Sequence, residues 1–167
     1  MITVTDIDDL VDALPGEVVG RALVLGVDGF DGSGKTTLAL ELARRVGGIR
    51  IGLDCYIDKE VDSDRYVGLL RLENLRRDVR ALSSCQPIIV VDGVCLSEAF
   101  DKLGCVPDYV VYVKKISAQG LWHDGLHLED YEAGQVAGSW LEKSVLSYHQ
   151  QYRPHLVANA CYSRISD

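Results

Sequence analysis

The chain has 167 residues, enough for one domain, and 47% of them are hydrophobic, enough for a sizeable core. Its formal net charge of −8 argues against general electrostatic attraction to nucleic acid or to an anionic membrane, so neither is an expected partner. Five cysteines (Cys55, Cys85, Cys95, Cys105, Cys161) form no C-x-x-C pair, which suits a reduced compartment better than a disulfide scaffold or a zinc site. With no basic-then-apolar leader and no apolar run of bilayer length, a cytoplasmic location is expected.

Residues 3–14 carry Ile7, Leu10, Val11 and Leu14 at helical spacing. Thr5 is a candidate N-cap and Pro15-Gly16 a stop, so 1–20 is expected to be a helix packing on the core of a single domain, 1–167. An apolar run at 22–27 then reads as a buried strand. It leads into Gly29-Phe30-Asp31-Gly32-Ser33-Gly34-Lys35-Thr36, which is G-x-x-x-x-G-K-[ST], the phosphate-binding P-loop pattern. A periodic segment with Leu38, Leu42 and Val46 follows, so the loop sits between a strand and a helix, as the pattern requires. The glycines let the backbone turn its N–H groups toward phosphate oxygens. The helix start adds a positive dipole end, Lys35 a mobile cation, and Thr36 a hydroxyl ligand for Mg²⁺.

The helix is expected to stop at Gly47-Gly48, with a second strand at 49–53 that ends in Asp54-Cys55-Tyr56. Ligands of open parallel sheets gather at the carboxyl ends of strands, which makes Asp54 a site candidate as well as a capping candidate. Residues 57–63 read as a loop and 66–82 as a helix, its arginines Arg76, Arg77 and Arg80 turned to solvent or to a substrate anion. The β-branched run at 87–93 reads as a central strand buried on both faces, ending at Asp92, where a carboxylate can hold Mg²⁺ beside the P-loop. A short helix, Leu96–Leu103, a fourth strand at 108–114, a long helix at 129–152 stopped by Pro154, and a fifth strand, Ala160–Ile165, complete the chain. His123 and His127 stand at i, i+4 around Asp124, a spacing that on a helix could ligate zinc, but the H-E-x-x-H pattern is absent and Gly125 weakens the helix.

Four blocks give the chain a likeness to a known family: GVDGFDGSGKTTLALELA, the Asp54-Cys55-Tyr56 strand end, RLENLRRDVRAL with PIIVVDGVCLSEAF, and SWLEKSVLSYHQQYRPHLVANACYSRI. In order and spacing they resemble the uridine kinase-like branch of P-loop small-molecule kinases. The resemblance implies an α/β fold of the P-loop NTPase type, three-layer α/β/α, with a five-stranded parallel sheet in the order 2-3-1-4-5. It also implies ATP and Mg²⁺ as cofactors and γ-phosphoryl transfer to a hydroxyl of a small acceptor. By position, Gly29, Asp31, Gly32, Ser33, Gly34, Lys35, Thr36 and Thr37 would hold the nucleotide. Lys35 would steady the transferring group, Asp54 would orient or deprotonate the hydroxyl, and Thr36, Asp54 and Asp92 would face the metal.

Two departures set the competing readings. The family's lid arginines have no counterpart in 117–130, leaving Lys114, Lys115, Lys143 and Arg153 as substitutes that the sequence does not place. The nucleoside-clamping segment is also absent between Tyr56 and Pro87, which disfavours uridine as the acceptor. An active small-molecule kinase is therefore set against a nucleotide-binding module or degenerate kinase with little transferase activity, and against an NTPase switch. A homo-oligomer is compatible with any of the three.

Overall fold

In a computed structural model that describes residues 1–16, 18–135 and 138–166, β2 (Leu23–Gly29) is the central strand. Every one of its residues is buried. On one side it pairs with β4 (Ile88–Asp92) and beyond that β3 (Ile49–Gly52); on the other with β5 (Tyr109–Ile116), β6 (Ala160–Ile165) and β1 (Ile2–Val4). All pairings are parallel, so both faces must be covered, and they are. Alternation along the strands assigns the faces. Leu23, Leu25 and Val27 of β2 and Val90 of β4 pack with α2 (Lys35–Arg45) and α1 (Ile7–Asp12), while Val24, Ile89 and Val91 pack with α3 (Leu72–Ser83), α4 (Leu96–Leu103) and α6 (Trp140–Tyr152).

The sheet has six strands in the order β1-β6-β5-β2-β4-β3, which corrects the expected five in the order 2-3-1-4-5. The addition is β1, only three residues long, which lies against β6 with Ile2 opposite Ala160. So short a strand has no visible alternation, and the helical spacing read over 3–14 overlaps it. That helix begins later than expected, capped by Asp6, whose carboxylate accepts from the Asp8 N–H at 2.7 Å.

Two helices expected as continuous are broken. In 66–82, Tyr66–Leu69 forms a 3-10 turn and Leu70 is extended, bridging to Ile57, before α3 starts at Leu72. Tertiary anchors account for this: the Tyr66 and Val67 side chains are buried, and the Arg71 N–H donates to the Tyr56 carbonyl at 2.8 Å. In 129–152, α5 (Gly125–Glu132) ends before Gly134, whose φ is +90°, and α6 restarts at Ser139; 136–137 lie outside the described residues. Ser139 and Glu142 form a reciprocal capping box, a start signal stronger than the apolar stripe running through it. A four-residue turn of helix, α7 (Pro154–Val157), then leads to β6. Among the described residues, no helix is long and apolar enough to cross a membrane.

Leu10 of α1 is fully buried against the α2 side of the sheet, with Ile7, Val11 and Leu14 packed around the same cluster. Leu10→Ala should lower stability by about 2–5 kcal/mol, as other buried leucine truncations do. Urea denaturation followed by circular dichroism measures it; a midpoint unchanged from the parent protein would show that the first helix is not part of the cooperative unit.

Candidate phosphate-binding site

The parallel register aligns the strand ends that form the site. Asp92 stands opposite Val27 of β2 and Gly52 of β3, so the exit of β4 faces both the loop after β2 and the turn after β3. The loop from Gly29 then turns into α2. Gly29 has φ +150°, and a Cβ there would stand 2.7 Å from the Val113 carbonyl oxygen. Gly34, the N-cap of α2, has φ +100°, and a Cβ there would stand 2.9 Å from Nη1 of Arg164 and 3.2 Å from its Cδ. Side chains at either point would strain the backbone and displace a neighbour. The N–H groups of Lys35, Thr36 and Thr37 open α2 and have no acceptor within the helix, which leaves them for an anion.

Lys35 is buried in the curve of the loop, its Nζ donating to the Phe30 carbonyl at 2.5 Å. Burial lowers its pKa, and the carboxylates of Asp28, Asp31, Asp54 and Asp92 oppose that fall. Phe30 is itself fixed by a stack on His149 of α6, ring centroids 3.8 Å apart. His149 sits between the Val145 carbonyl, 2.7 Å from Nδ1, and the Tyr112 hydroxyl, 2.8 Å from Nε2. A carbonyl can only accept, so Nδ1 carries the proton. Burial pushes the imidazole down to about 3, so the ring is neutral and Nε2 accepts from the tyrosine.

Lys35, Thr36, Asp54 and Asp92 line one cavity of about 480 Å³, together with Tyr66 and Leu141. The structure thus brings together the predicted catalytic and metal-facing residues. Thr36 Oγ1 donates to Asp92 Oδ2 at 3.2 Å. Asp54, in the 3-10 turn Leu53–Tyr56, accepts from the Tyr66 hydroxyl at 2.6 Å. Of the remaining loop residues, Asp31 accepts the Gly32 N–H at 3.0 Å, Thr37 is exposed, and the Ser33 hydroxyl is buried without a partner among the described residues. A second cavity of about 630 Å³ adjoins the first, sharing Asp31 and Leu141 and reaching Asp124, His127 and Glu142.

Other expectations do not converge on the site. His123 precedes α5 rather than sharing a helical face with His127, and no group of three metal-ligating side chains is found among the described residues. Lys114 lies over the Trp122 ring at 4.6 Å, and neither it nor Lys115, Lys143 or Arg153 is among the described residues lining the cavity around Lys35. Arg76 pairs with Glu73 and Arg77 with Asp78, as solvated helix arginines do.

Three site residues are not evident from the sequence. Arg50 of β3 grips Asp92 through both carboxylate oxygens, at 2.6 and 2.9 Å, a bidentate pair that holds the Asp92 charge in place. Arg164 of β6, exposed and outside the cavity lining, rests on Gly34 of the P-loop. Asp28 is fully buried at the end of β2, where it accepts from the Gly29 N–H at 2.7 Å and from the hydroxyl of Tyr148 in α6. A lone acid in an otherwise apolar strand was the available signal for Asp28; the partners of the others come from distant segments.

Burial pushes the Asp28 carboxyl up to about 6, against an ordinary value of 3.8. The folded chain therefore holds this proton more tightly than the unfolded chain. The associated stability is present below about pH 4 and is lost as pH rises through 6. Asp28→Asn cannot ionise, so its stability relative to wild type should rise from pH 4 to pH 7 by on the order of 2–3 kcal/mol, seen as a growing difference in melting temperature. Scanning fluorimetry across that range reads it; a difference that does not change with pH would contradict the burial argument.

Neither a family model nor a curated protein sequence matches this chain. Solved structures do. The "Possible Uridine Kinase" from Bacillus stearothermophilus overlays with a TM-score of 0.62 at 17% identity, covering 93% of this chain and 96% of that one. A shikimate kinase from Bacteroides thetaiotaomicron overlays more loosely, with a TM-score of 0.47 at 18% identity over 84% of this chain and 85% of that one. A sugar kinase from Janibacter sp. HTCC2649 gives 0.44 at 19% identity over 87% and 85%. At these identities the likeness is one of architecture: the chain has the α/β fold, with its parallel sheet and P-loop crossover, that is seen in P-loop kinases.

Proposed function

We propose that the protein transfers the γ-phosphoryl group of ATP to a hydroxyl of a small molecule. The observation that carries this reading is the single cavity in which the P-loop cation Lys35, the hydroxyl of Thr36 and two carboxylates, Asp54 and Asp92, meet at the carboxyl ends of the parallel strands. Phosphoryl transfer asks a protein mainly for positioning and charge stabilisation, and these groups supply both. The amides opening α2 and the Lys35 ammonium hold the polyphosphate. Lys35 needs only to exchange the Phe30 carbonyl for a phosphate oxygen. Asp54, with Oδ1 fixed by Tyr66, presents its other oxygen to the acceptor hydroxyl, which it orients and relieves of its proton.

The donor set fits Mg²⁺. Thr36 Oγ1 and Asp92 Oδ2 are hard oxygen donors 3.2 Å apart, the donor type of an ion that keeps waters and takes phosphate oxygens. Bound there with Asp54 nearby, the ion would neutralise charge on the β- and γ-phosphates. Arg50 keeps Asp92 turned toward Thr36.

The acceptor hydroxyl belongs in the cavity that Asp54 and Lys35 line, and the adjoining cavity beside Asp31 and Glu142 is room for the rest of the acceptor. The alternative reading, a nucleotide-binding module with little transferase activity, is favoured by one observation: residues 117–130 contain no arginine to close over the phosphates. Free cysteines Cys55, Cys85 and Cys105 at the surface are in keeping with a reducing, cytoplasmic setting.

A screen of nucleosides, sugars, vitamins and small alcohols with MgATP, read as ADP formation, separates the two readings. A kinase gives acceptor-dependent turnover at about 1–100 s⁻¹; the binding module gives nucleotide affinity without it. With the acceptor found, Asp54→Asn should lower kcat by about 10²–10⁴-fold while MgADP affinity stays near the parent value. Lys35→Ala should lower kcat/KM for ATP by about 10²-fold or more. Wild-type rates from Lys35→Ala would remove the basis of the reading.

A further inference from the structure

Resting on the nucleotide-binding reading, we propose that Arg164 is a polyphosphate-binding residue: the cation missing from the lid segment is supplied from the opposite side of the loop, by the last strand of the sheet. Three observations converge on it.

The first is contact. Arg164 is packed on Gly34, with Nη1, Cδ and Cζ lying 2.9, 3.2 and 3.6 Å from the point where a Cβ would stand. Both the stem and the guanidinium therefore lie along the backbone at the point where the P-loop becomes α2. The second is the lack of a counter-charge. Arg21, Arg50 and Arg65 are held by Asp108, Asp92 and Glu98, whereas Arg164, like Arg80 and Arg153 away from the loop, has no ion-pair partner among the described residues, in a chain whose net charge is −8. The third is electrostatic sense. The N-terminus of an eleven-residue helix is its positive end, an unfavourable place to rest a bare guanidinium. An anion seated on the same helix start reverses the sign of that interaction, because helix amides, Lys35 and Arg164 then share one negative partner. A guanidinium is also the group best shaped to meet phosphate oxygens through two donors.

The placement explains why the lid segment can be free of arginine. Charge on the polyphosphate is met by Lys35 from within the loop and by Arg164 from β6, instead of from a segment that folds over the top. In this arrangement the cation is carried on a strand of the sheet, its exposed side chain resting on Gly34.

Calorimetric titration of the whole chain with MgADP and, separately, with magnesium pyrophosphate tests the assignment. Arg164→Ala should weaken both ligands by about tenfold or more, a charge-assisted contact being lost from each. Arg164→Lys and Arg164→Gln have similar length but differ in charge, so the lysine variant should bind more tightly than the glutamine variant, and the salt dependence of binding should be shallower in glutamine than in wild type. Arg164→Ala binding within twofold of wild type, or equal affinities for the lysine and glutamine variants, would overturn the proposal. So would a loss for MgADP with none for pyrophosphate, which would move the contact to the base or ribose. Wild type that binds neither ligand would instead overturn the nucleotide-site reading, and this assignment with it.

Discussion

A phosphate cradle made of backbone works only if no side chain stands between the amides and the anion. Much of what surrounds the loop after β2 follows from that constraint. At Gly29 the neighbouring strand approaches so closely that the Val113 carbonyl occupies the place of a Cβ, and at Gly34 the Arg164 side chain does. Of the side chains that the loop does carry, Phe30, Ser33 and Lys35 are turned into the fold, while Asp31 and Thr36 are exposed. Lys35 lies within the curve of the loop, bonded to the Phe30 carbonyl, and Phe30 is stacked on the neutral ring of His149. The shape of the cradle is thus held by α6 and β5 as well as by its own glycines.

The electrostatics of the site are local and contrary to those of the whole chain. The protein is acidic, yet a buried ammonium and an arginine gather at the start of α2. The nearby carboxylates are individually managed. Asp92 is neutralised by Arg50, Asp54 is fixed by a tyrosine hydroxyl, and Asp28 is sealed from water with Tyr148 and the Gly29 amide as its partners. A carboxylate that is to face a metal ion or a hydroxyl must be held without being consumed, and the charges of Asp28, Asp31, Asp54 and Asp92 oppose the fall that burial imposes on the Lys35 pKa.

What was legible in the sequence was local. The P-loop, the short helix Leu96–Leu103 and the strand Ala160–Ile165 are written in contiguous residues, and the fold seen in P-loop kinases follows from them. Contacts between distant segments were not legible. Arg50 reads as one more strand residue until β3 lies beside β4, and Arg164 reads as a surface residue of the last strand until β6 comes round to the loop. The serine and glutamate of the capping box at 139 and 142 were visible, but the apolar stripe of a longer helix was given precedence. The edge strand Ile2–Val4 was too short to show a period, so its pairing with β6 could come only from the assembled sheet.

The central claim is that the backbone turn from Gly29 to Thr37 seats a nucleotide polyphosphate, with Thr36 and Asp92 on the metal side. A crystal structure of the protein grown with MgADP tests it most directly. The account predicts phosphate oxygens on the amides that open α2, the Lys35 ammonium moved from Phe30 to the phosphate, and the magnesium ion beside Thr36. A nucleotide ordered elsewhere on the molecule, with Lys35 still bonded to Phe30, would contradict it.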